Sequence, residues 1–577
     1  MRTKPVAKKN SPTQLVTAAN GAQTIINGLL KYGHDTVFGY PGGQVIPLYD
    51  ALYDSKIRHI LTRHEQGAIH AADGWARITG RPGIVFATSG PGATNLVTGL
   101  ANAHMDSVPL VVITGQVATT SIGADSFQEA DIYGISIPIT KHNYLVKNSV
   151  DLPRVLAEAF YLANTGRPGP VLIDVPKDIQ VQEIQKSWPE TINIPGYNPN
   201  PPTNPAEIQA LADLLNASQR PILYVGGGAI LAKAEKQLRE LVEKANIPVV
   251  VTLQAKGVLP DDHKLVLGLA GMHGSKVANL AIYNSDLILG FGVRFDDRVV
   301  GDTRRFAPVA RIVHVDIDPA EIGKRLAPDL PITGNLKTVL EKTLELVKPN
   351  NRSIWLEELS QIHSETTEDD YEAPNGISPQ KTIKLLSEMA KPDAIVVTDV
   401  GQHQMWAAQH YISREPRKFL SSGGLGAMGF GLPAAIGAQI ASPSSQVILI
   451  VGDGGFQMNI QELATIRSHN LPIKILVVNN GCLGMVRQWQ KFFFKSRYSQ
   501  TIFDWNPNFT ALGQVYDIPG QKVDDPNLVE KALKSFLSSK GSSLLDLVVP
   551  MEANVMPMIP AGQGQTDFFD ESRIPGA

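Results

Sequence analysis

The chain is expected to be an α/β protein of three doubly wound parallel sheets, and three observations carry that expectation. Short β-branched runs alternate with amphipathic helical stretches along the 577 residues, a pattern that implies parallel sheets covered by helices on both faces. Glycine-rich turns recur where the apolar runs end, which in such sheets is the carboxyl edge where ligands bind. Two stretches without helical or alternating pattern divide the chain into three blocks of comparable length.

In the first block, residues 1–187, a strand within the stretch Leu61 to Ala68 runs into a helix over Ala68 to Ile78, and Ile84-Val85-Phe86 precedes a helix over Asn95 to Ala103. Residues 188–205 form a linker, marked by Pro195-Gly196-Tyr197-Asn198-Pro199-Asn200-Pro201-Pro202. The middle block, 206–347, sets Ile222–Val225 before a helix over Ala232 to Ala245. A second break at 348–378 holds Pro349-Asn350-Asn351 and the acidic run Glu365 to Asp370 around one short helical stretch. The third block, 379–550, begins with Ile395–Val397 before a helix over Met405 to Ile412. The last stretch, 551–577, reads as an irregular tail that orders over a ligand.

Composition narrows the class. With 43% hydrophobic and 19% charged residues the chain is neither disordered nor fibrous. A net charge of −3 without a long basic stripe argues against nucleic acid as the main partner. Cys482 is the single cysteine, so an internal disulfide and a thiolate zinc cluster are excluded. Leu425 to Ala441 is broken by glycines and Pro433, which argues against a membrane span. Met1 to Asn10 carries Arg2, Lys4, Lys8 and Lys9 but no apolar signal stretch, so a cytoplasmic location is expected, with a plastid stroma the other possibility.

Two motifs in the third block bear on chemistry. Gly452-Asp453-Gly454-Gly455 ends the run Val447–Val451, and Asn479-Asn480-Gly481-Cys482 ends Ile475–Val478, with a helix over Ile460 to Ser468 between them. Magnesium takes hard oxygens and few protein ligands, leaving positions to phosphates and water. The Asp453 carboxylate, the Asn480 amide oxygen and a loop carbonyl at Cys482 would serve. The glycines allow close backbone approach, and the amides that follow suit a phosphate. In the first block Gly39-Tyr40-Pro41-Gly42-Gly43 and Thr88-Ser89-Gly90-Pro91-Gly92-Ala93-Thr94-Asn95 are further strand-end turns. Glu65 lies just before the next helix, where it could equally be a simple helix-start carboxylate or an ion-pair partner of Arg63.

Asp453 and Asn480, 27 positions apart, resemble the metal and diphosphate motif of thiamine diphosphate enzymes. Arg63-His64-Glu65 resembles their activating glutamate segment. Gly484-Met485-Val486-Arg487-Gln488-Trp489-Gln490, with Phe127-Gln128-Glu129, Val175-Pro176-Lys177-Asp178 and Gln402-His403-Gln404, narrows the resemblance to the acetohydroxyacid (acetolactate) synthase catalytic subunits over nearly the whole chain.

That resemblance implies a pyrimidine-binding domain, a central FAD-binding domain and a diphosphate-binding domain. It implies decarboxylation of pyruvate on the cofactor ylid and transfer of the hydroxyethyl carbanion to a second pyruvate or 2-oxobutyrate, in branched-chain amino acid synthesis. Glu65 would bond the aminopyrimidine and drive ylid formation, Gly43 would offer an amide to the oxyanion, and Gln128 and Lys177 would line the reacting carbon. Pro91, Asn95, Gly401, Gln402, His403, Gly426, Gly484 and Met485 would join the diphosphate motif around the cofactor, with Met428 bending it. Trp489 and Phe127 would face substrate, Trp489 favouring the larger acceptor.

For FAD the implied contacts are Arg167, Gly226, Gly227, Gly228, Met272, His273, Gly274, Gly292, Arg294, Arg298, Asp316, Ile317, Gly334, Asn335 and Gln404. Where the family often has an acid near the end of this domain, the chain has Asn335 after Gly334. A homodimer or dimer of dimers and a small regulatory subunit are implied too. A flavin-dependent pyruvate oxidase is the alternative. Glyoxylate carboligase is disfavoured because it lacks the glutamate.

Overall fold

The computed structural model describes residues 19–184, 188–366 and 376–569. The basic start with Arg2, Lys4, Lys8 and Lys9, most of the acidic run through Asp370 and the final residues 570–577 lie outside them. Three six-stranded sheets, parallel throughout, form the framework, so the expected α/β class holds.

The first sheet runs, edge to edge, Arg58–Leu61, Thr36–Gly39, Gly83–Ala87, Leu110–Gln116, Pro170–Pro176, His142–Leu145. Numbered along the block, this is order 2-1-3-4-6-5. The third sheet repeats that order with Phe419–Leu420, Ile395–Thr398, Val447–Gly452, Lys474–Asn479, Ser543–Val548 and Gly520–Val523. The middle sheet differs. Val266–Leu269, Val249–Val251, Pro221–Val225, Leu287–Phe291, Arg311–Asp316 and Leu330–Thr333 follow order 3-2-1-4-5-6, the arrangement of dinucleotide-binding sheets. In each sheet the order reverses beside strand 1, which opens a crevice at the carboxyl ends of strands 1 and 3, or 1 and 4.

The central strands are wholly buried, Leu110–Gln116 and Val447–Gly452 at every residue, because helices cover both faces. The first and third blocks share one apolar core, in which Ile69, Ala72 and Val85 lie with Leu432, Ile436, Leu449 and Val451. Helix Glu65–Thr79 lies directly on helix Gly431–Ala441. A methyl at Gly74 would run into the Ala434 carbonyl, and one at Gly437 into that of Ala71, so only glycine permits this crossing. Helix Gly431–Ala441 is buried by that contact rather than by lipid, and no helix of the described residues is long and apolar enough to cross a membrane.

Several connections are more ordered than their composition suggests. Tyr197, in the first Pro-rich stretch, accepts a bond from Lys141 through its hydroxyl at 2.9 Å. Helix Ser353–Thr366 occupies the second break and buries Trp355, whose indole N–H reaches the Pro221 carbonyl at 3.2 Å. The tail through residue 569 has no regular element, yet it is docked on protein. Ile559 N–H donates to the Met272 carbonyl at 2.8 Å, and Phe569 stacks on Phe492 with ring centroids 4.4 Å apart.

Candidate active site

At the carboxyl edge of the first sheet, Gly43, Glu65, Pro91, Asn95, Phe127, Gln128 and Lys177 all follow strand ends. His64 caps helix Glu65–Thr79 by accepting the Gln66 N–H on Nδ1 at 3.1 Å, which fixes Glu65 as the first helical residue. Glu65 is 8% exposed, and its Oε2 accepts from Asn95 Nδ2 at 3.0 Å. Arg63 is not its partner. The Arg63 guanidinium turns to the Leu61 carbonyl at 3.1 Å and to Ser468 Oγ at 3.2 Å.

The glycine turns interlock around Thr88. Its hydroxyl accepts the Gln44 N–H at 3.2 Å, and methyls at Gly42 or Gly92 would meet its Cγ2. Gln128 holds φ +59°, and its backbone fits against Gly90 so closely that a methyl there would lie 2.7 Å from the Gln128 carbonyl oxygen. A non-glycine residue in this region stores strain, which concentrates at functional sites. Phe127 beside it is 86% exposed, and Lys177 is half-buried.

The third sheet presents the other set. Asp453 is 1% exposed at the end of its strand, and burial pushes its carboxyl up to about 6 against the donors that face it. Oδ2 accepts from Asn506 Nδ2 at 2.7 Å and from Gly481 N–H at 3.1 Å. Asn480 accepts the Cys482 N–H at 3.2 Å on Oδ1 and donates to Gln402 Oε1 at 3.1 Å. A methyl at Gly484 would sit 2.5 Å from the Asn480 amide nitrogen, so that glycine gives Asn480 and Gln402 their room.

Burial first, then the Asp453 charge, push the Cys482 thiol up to about 12. A thiolate ligand is thereby disfavoured, and the backbone carbonyl is the donor left at that position. One carboxylate, one amide oxygen and one carbonyl fit magnesium, which binds few protein oxygens.

His403 is fully enclosed and held neutral, its pKa driven down to about 3 by burial. Its Nε2 has no protein partner among the described residues, while its Nδ1 edge lies where a methyl at Gly452 would approach to 2.8 Å. A buried polar atom left free at the Asp453 turn fits a diphosphate as neighbour. Gly401 takes φ +153° beside it. Asp399 accepts the Gly429 and Gly431 amides at 3.1 and 2.8 Å and so shapes the turn after Met428.

A cavity of about 1620 Å³ lies where the three blocks meet. Its wall includes Arg167, Gly226, Gly227, Gly228, Met272, His273, Gly292, Arg294, Arg298, Asp316, Ile317, Asn335 and Gln404. Gly274 and Gly334 are not on that wall. Gly274 lies in the turn before helix Lys276–Asn284, and Gly334 follows strand Leu330–Thr333.

The lining fits a dinucleotide. Gly226 and Gly292 end adjacent strands at the order reversal, where a methyl on Gly226 would strike the Gly292 carbonyl. Asp316 ends the next strand, its carboxyl raised to about 6 by burial and its Oδ1 accepting the Asp318 N–H at 2.9 Å. Arg167 crosses from the first block to Glu321 at 2.6 Å and Asp318 at 3.2 Å. Asn335 caps helix Leu336–Leu346 with its side-chain oxygen. Half-buried His273 has its Nδ1 inaccessible and without a partner among the described residues.

The same wall carries Gly401, Gly426, Met428, Met485 and Trp489 from the third block. It carries none of Gly43, Glu65, Pro91, Asn95, Phe127, Gln128 or Lys177. Within one chain, then, these five third-block residues open into this cavity, whereas Asp453, Asn480 and the first-block set do not line it.

Residues given no role from sequence also shape the site. Asn506 orients Asp453, and Gln488, fully buried, receives Gln402 Nε2 at 2.9 Å and exchanges bonds with Val555 of the tail. Arg77 joins all three blocks. It bonds Asp73 at 2.5 Å and Asp106 at 2.9 Å in the first, Gln254 at 2.8 Å in the middle, and the Ser421 carbonyl at 3.2 Å in the third. Asp106 in turn accepts the Gly423 and Gly424 amides at 3.0 and 2.7 Å, holding the loop that leads to Gly426.

Comparison with known proteins agrees with this anatomy. Residues 19–135 match the thiamine pyrophosphate enzyme N-terminal TPP binding domain, 208–343 the central domain and 399–547 the C-terminal TPP binding domain. The chain is 48% identical to an acetolactate synthase of Mycobacterium bovis, over 95% of this chain and 91% of that one. Against the acetolactate synthase large subunit of Lactococcus lactis it is 47% identical, covering 95% and 96%. Against the acetolactate synthase isozyme 2 large subunit of Escherichia coli it is 46% identical, covering 96% and 100%.

Proposed function

The chain belongs to the acetolactate synthase large subunits, a family of thiamine pyrophosphate enzymes, and we propose that it joins two 2-oxo acids with loss of carbon dioxide. Pyruvate is the donor, and pyruvate or 2-oxobutyrate the acceptor, giving 2-acetolactate or 2-aceto-2-hydroxybutyrate. The observation that carries this reading is near full-length identity together with Glu65, Asp453 and Asn480 at three strand ends. The pyruvate oxidase alternative is not favoured by these relatives.

When bound, thiamine diphosphate supplies the carbon nucleophile and the electron sink for decarboxylation. Glu65 would hold a proton at its Oε1, the oxygen that Asn95 does not bond, against the pyrimidine ring. Asp453, Asn480 and the Cys482 carbonyl would hold magnesium, and His403 Nε2 would donate to the diphosphate. Met428 would support the bent cofactor from the cavity wall. Gly43 would offer an amide to the developing oxyanion, with Gln128 and Lys177 beside the reacting carbon and Phe127 at the entrance.

FAD would lie along the cavity from Asp316 and Asn335 to Gln404, with Arg167, Arg294 and Arg298 near its phosphates and flavin. Trp489 would form the wall against which the acceptor side chain packs. One methylene is worth ~1 to 3 kcal/mol in such a pocket, so the wall biases acceptor choice without fixing it.

Because the first-block set is absent from the cavity that Gly401, Gly426, Met428, Met485 and Trp489 line in one chain, the active site is read as shared. The first block of one chain would meet the third block of a second, in a homodimer or dimer of dimers. A small regulatory subunit is a further expected partner. The purified chain, given thiamine diphosphate, magnesium and FAD, should form acetolactate from pyruvate and shift product when 2-oxobutyrate is added. Acetate or acetyl phosphate with peroxide as the main products would overturn the reading.

A further inference from the structure

The carboxylate of Glu462 has no part in the site described so far, yet it sits between the two sets of residues. It belongs to the third block, nine positions after Asp453, and is completely buried. Its Oε1 accepts the Arg63 N–H at 2.8 Å, and the His64 amide also faces the carboxylate. Thr465 Oγ1 holds the other oxygen at 2.7 Å. Gly67, in the first turn of the helix, presses against the same carboxylate, since a methyl there would collide with Oε1. The backbone on both sides of Glu65 is thus set by a side chain from another block.

The segment that bears Glu462 is anchored at two further points. Asp453 starts it, and Asn459 Nδ2 donates to the Gly429 carbonyl at 2.7 Å, next to Met428. One stretch of ten residues therefore touches the metal turn, the Met428 turn and the approach to Glu65. If the active site is shared between chains, Asp453 and Met428 serve one site and Glu65 of the same chain serves the other.

We propose that Glu462 is a positioning residue for Glu65 and that residues 453–462 couple the two active sites of a dimer. This rests on the shared-site reading given above. Cofactor seated on Asp453 in one site orders the segment, and the Glu462 contact carries that order to the Arg63-His64-Glu65 approach of the second site. Reciprocity follows, because a coupling free energy acts equally in both directions.

The test uses the dimeric holoenzyme, with exchange of the thiazolium C2 proton in deuterated water and calorimetric titration by thiamine diphosphate as readouts. Wild type should show two cofactor affinities differing at least ~5-fold, within the usual range of coupling. Glu462→Ala, with two backbone amides released, should slow exchange by about 100-fold, as a misplacement near 1 Å does, and show a single affinity. Glu462→Gln keeps an acceptor oxygen and should return exchange to within about 5-fold of wild type, the scale of one neutral hydrogen bond.

Wild-type exchange and an unchanged titration in Glu462→Ala would overturn the proposal, as would a single affinity in wild type. Should Glu462→Ala not fold, Thr465→Val keeps the carboxylate and must still slow exchange several-fold. Mixing inactive Glu65→Gln and Asp453→Ala dimers tests the premise separately. A shared site regains up to about a quarter of full activity through heterodimers with one intact site; no recovery would remove the shared site and the coupling with it.

Discussion

Replacing Asn506 by Ala should move the pH profile of cofactor binding. Asp453 must be ionised to hold magnesium, and burial has already lifted its carboxyl from the ordinary 3.8 to about 6. Asn506 Nδ2, 2.7 Å from Oδ2, makes the largest of the contributions that oppose that rise. A hydrogen bond to a charged group is worth about 1.5 to 3 kcal/mol, which converts to roughly 1 to 2 pH units. The midpoint should therefore climb from about 6 to roughly 7 to 8, and affinity at pH 7 should fall roughly 2- to 10-fold as the ionised fraction drops.

Calorimetric titration with magnesium and thiamine diphosphate from pH 5 to 8 reads both quantities. Wild type should be level above about pH 6 and lose about tenfold per unit below it. An Asn506→Ala profile superimposable on wild type would refute the reasoning.

The same carboxyl makes a prediction about stability without metal. Its folded pKa is raised, so the folded state holds the proton longer, and stability from this group is fully present below 3.8 and lost as pH rises through about 6. Metal-free Asp453→Asn should exceed wild type at pH 7 by up to ~3 kcal/mol in denaturant unfolding; equal midpoints would contradict the buried charge.

Glu65→Gln should retain cofactor affinity within about 3-fold and lose C2 proton exchange by 100-fold or more, since one proton-transfer group contributes about 10² to 10⁴; wild-type turnover would refute its role. Trp489→Leu should relax preference for 2-oxobutyrate over pyruvate by about 10-fold, read as a product ratio at equal substrate. Gly437→Ala should cost about 1 to 3 kcal/mol, because its methyl meets the Ala71 carbonyl, and thermal unfolding measures it.

The strands were legible because fully buried strands are continuous apolar runs, as in Val447–Gly452 and Leu287–Phe291. Strand order was not, since runs such as Val249–Val251 and Ile395–Thr398 carry no mark of their neighbours. Helix Glu65–Thr79 begins three residues before the expected Ala68 because its cap is a histidine nitrogen rather than a Ser, Thr, Asp or Asn oxygen. The expected helix over Ile460 to Ser468 divides into a 3₁₀ turn at Ile460–Glu462 and a helix at Leu463–His469.

At the site, Asp453 and Asn480 stood out because glycines surround them. Asn506 did not, because Asn-Pro-Asn reads as an ordinary turn and its contact spans 53 positions. Glu462 carries no mark within the expected helix over Ile460 to Ser468, and only the packing of one block on another gives it Arg63 as partner.

The core shared by the first and third blocks also determines how the chain can fold. Ile69 and Ala72 reach their final burial only beside Leu432 and Ile436, more than 350 positions later. During synthesis the middle block, with its own apolar clusters, can close while that face of the first block still waits for its partner. The nascent chain thus carries an exposed apolar helix through most of translation, a state that invites chaperone binding. Once complete, the first and third blocks should melt as one cooperative unit although they are separated in sequence, with the middle block as the second.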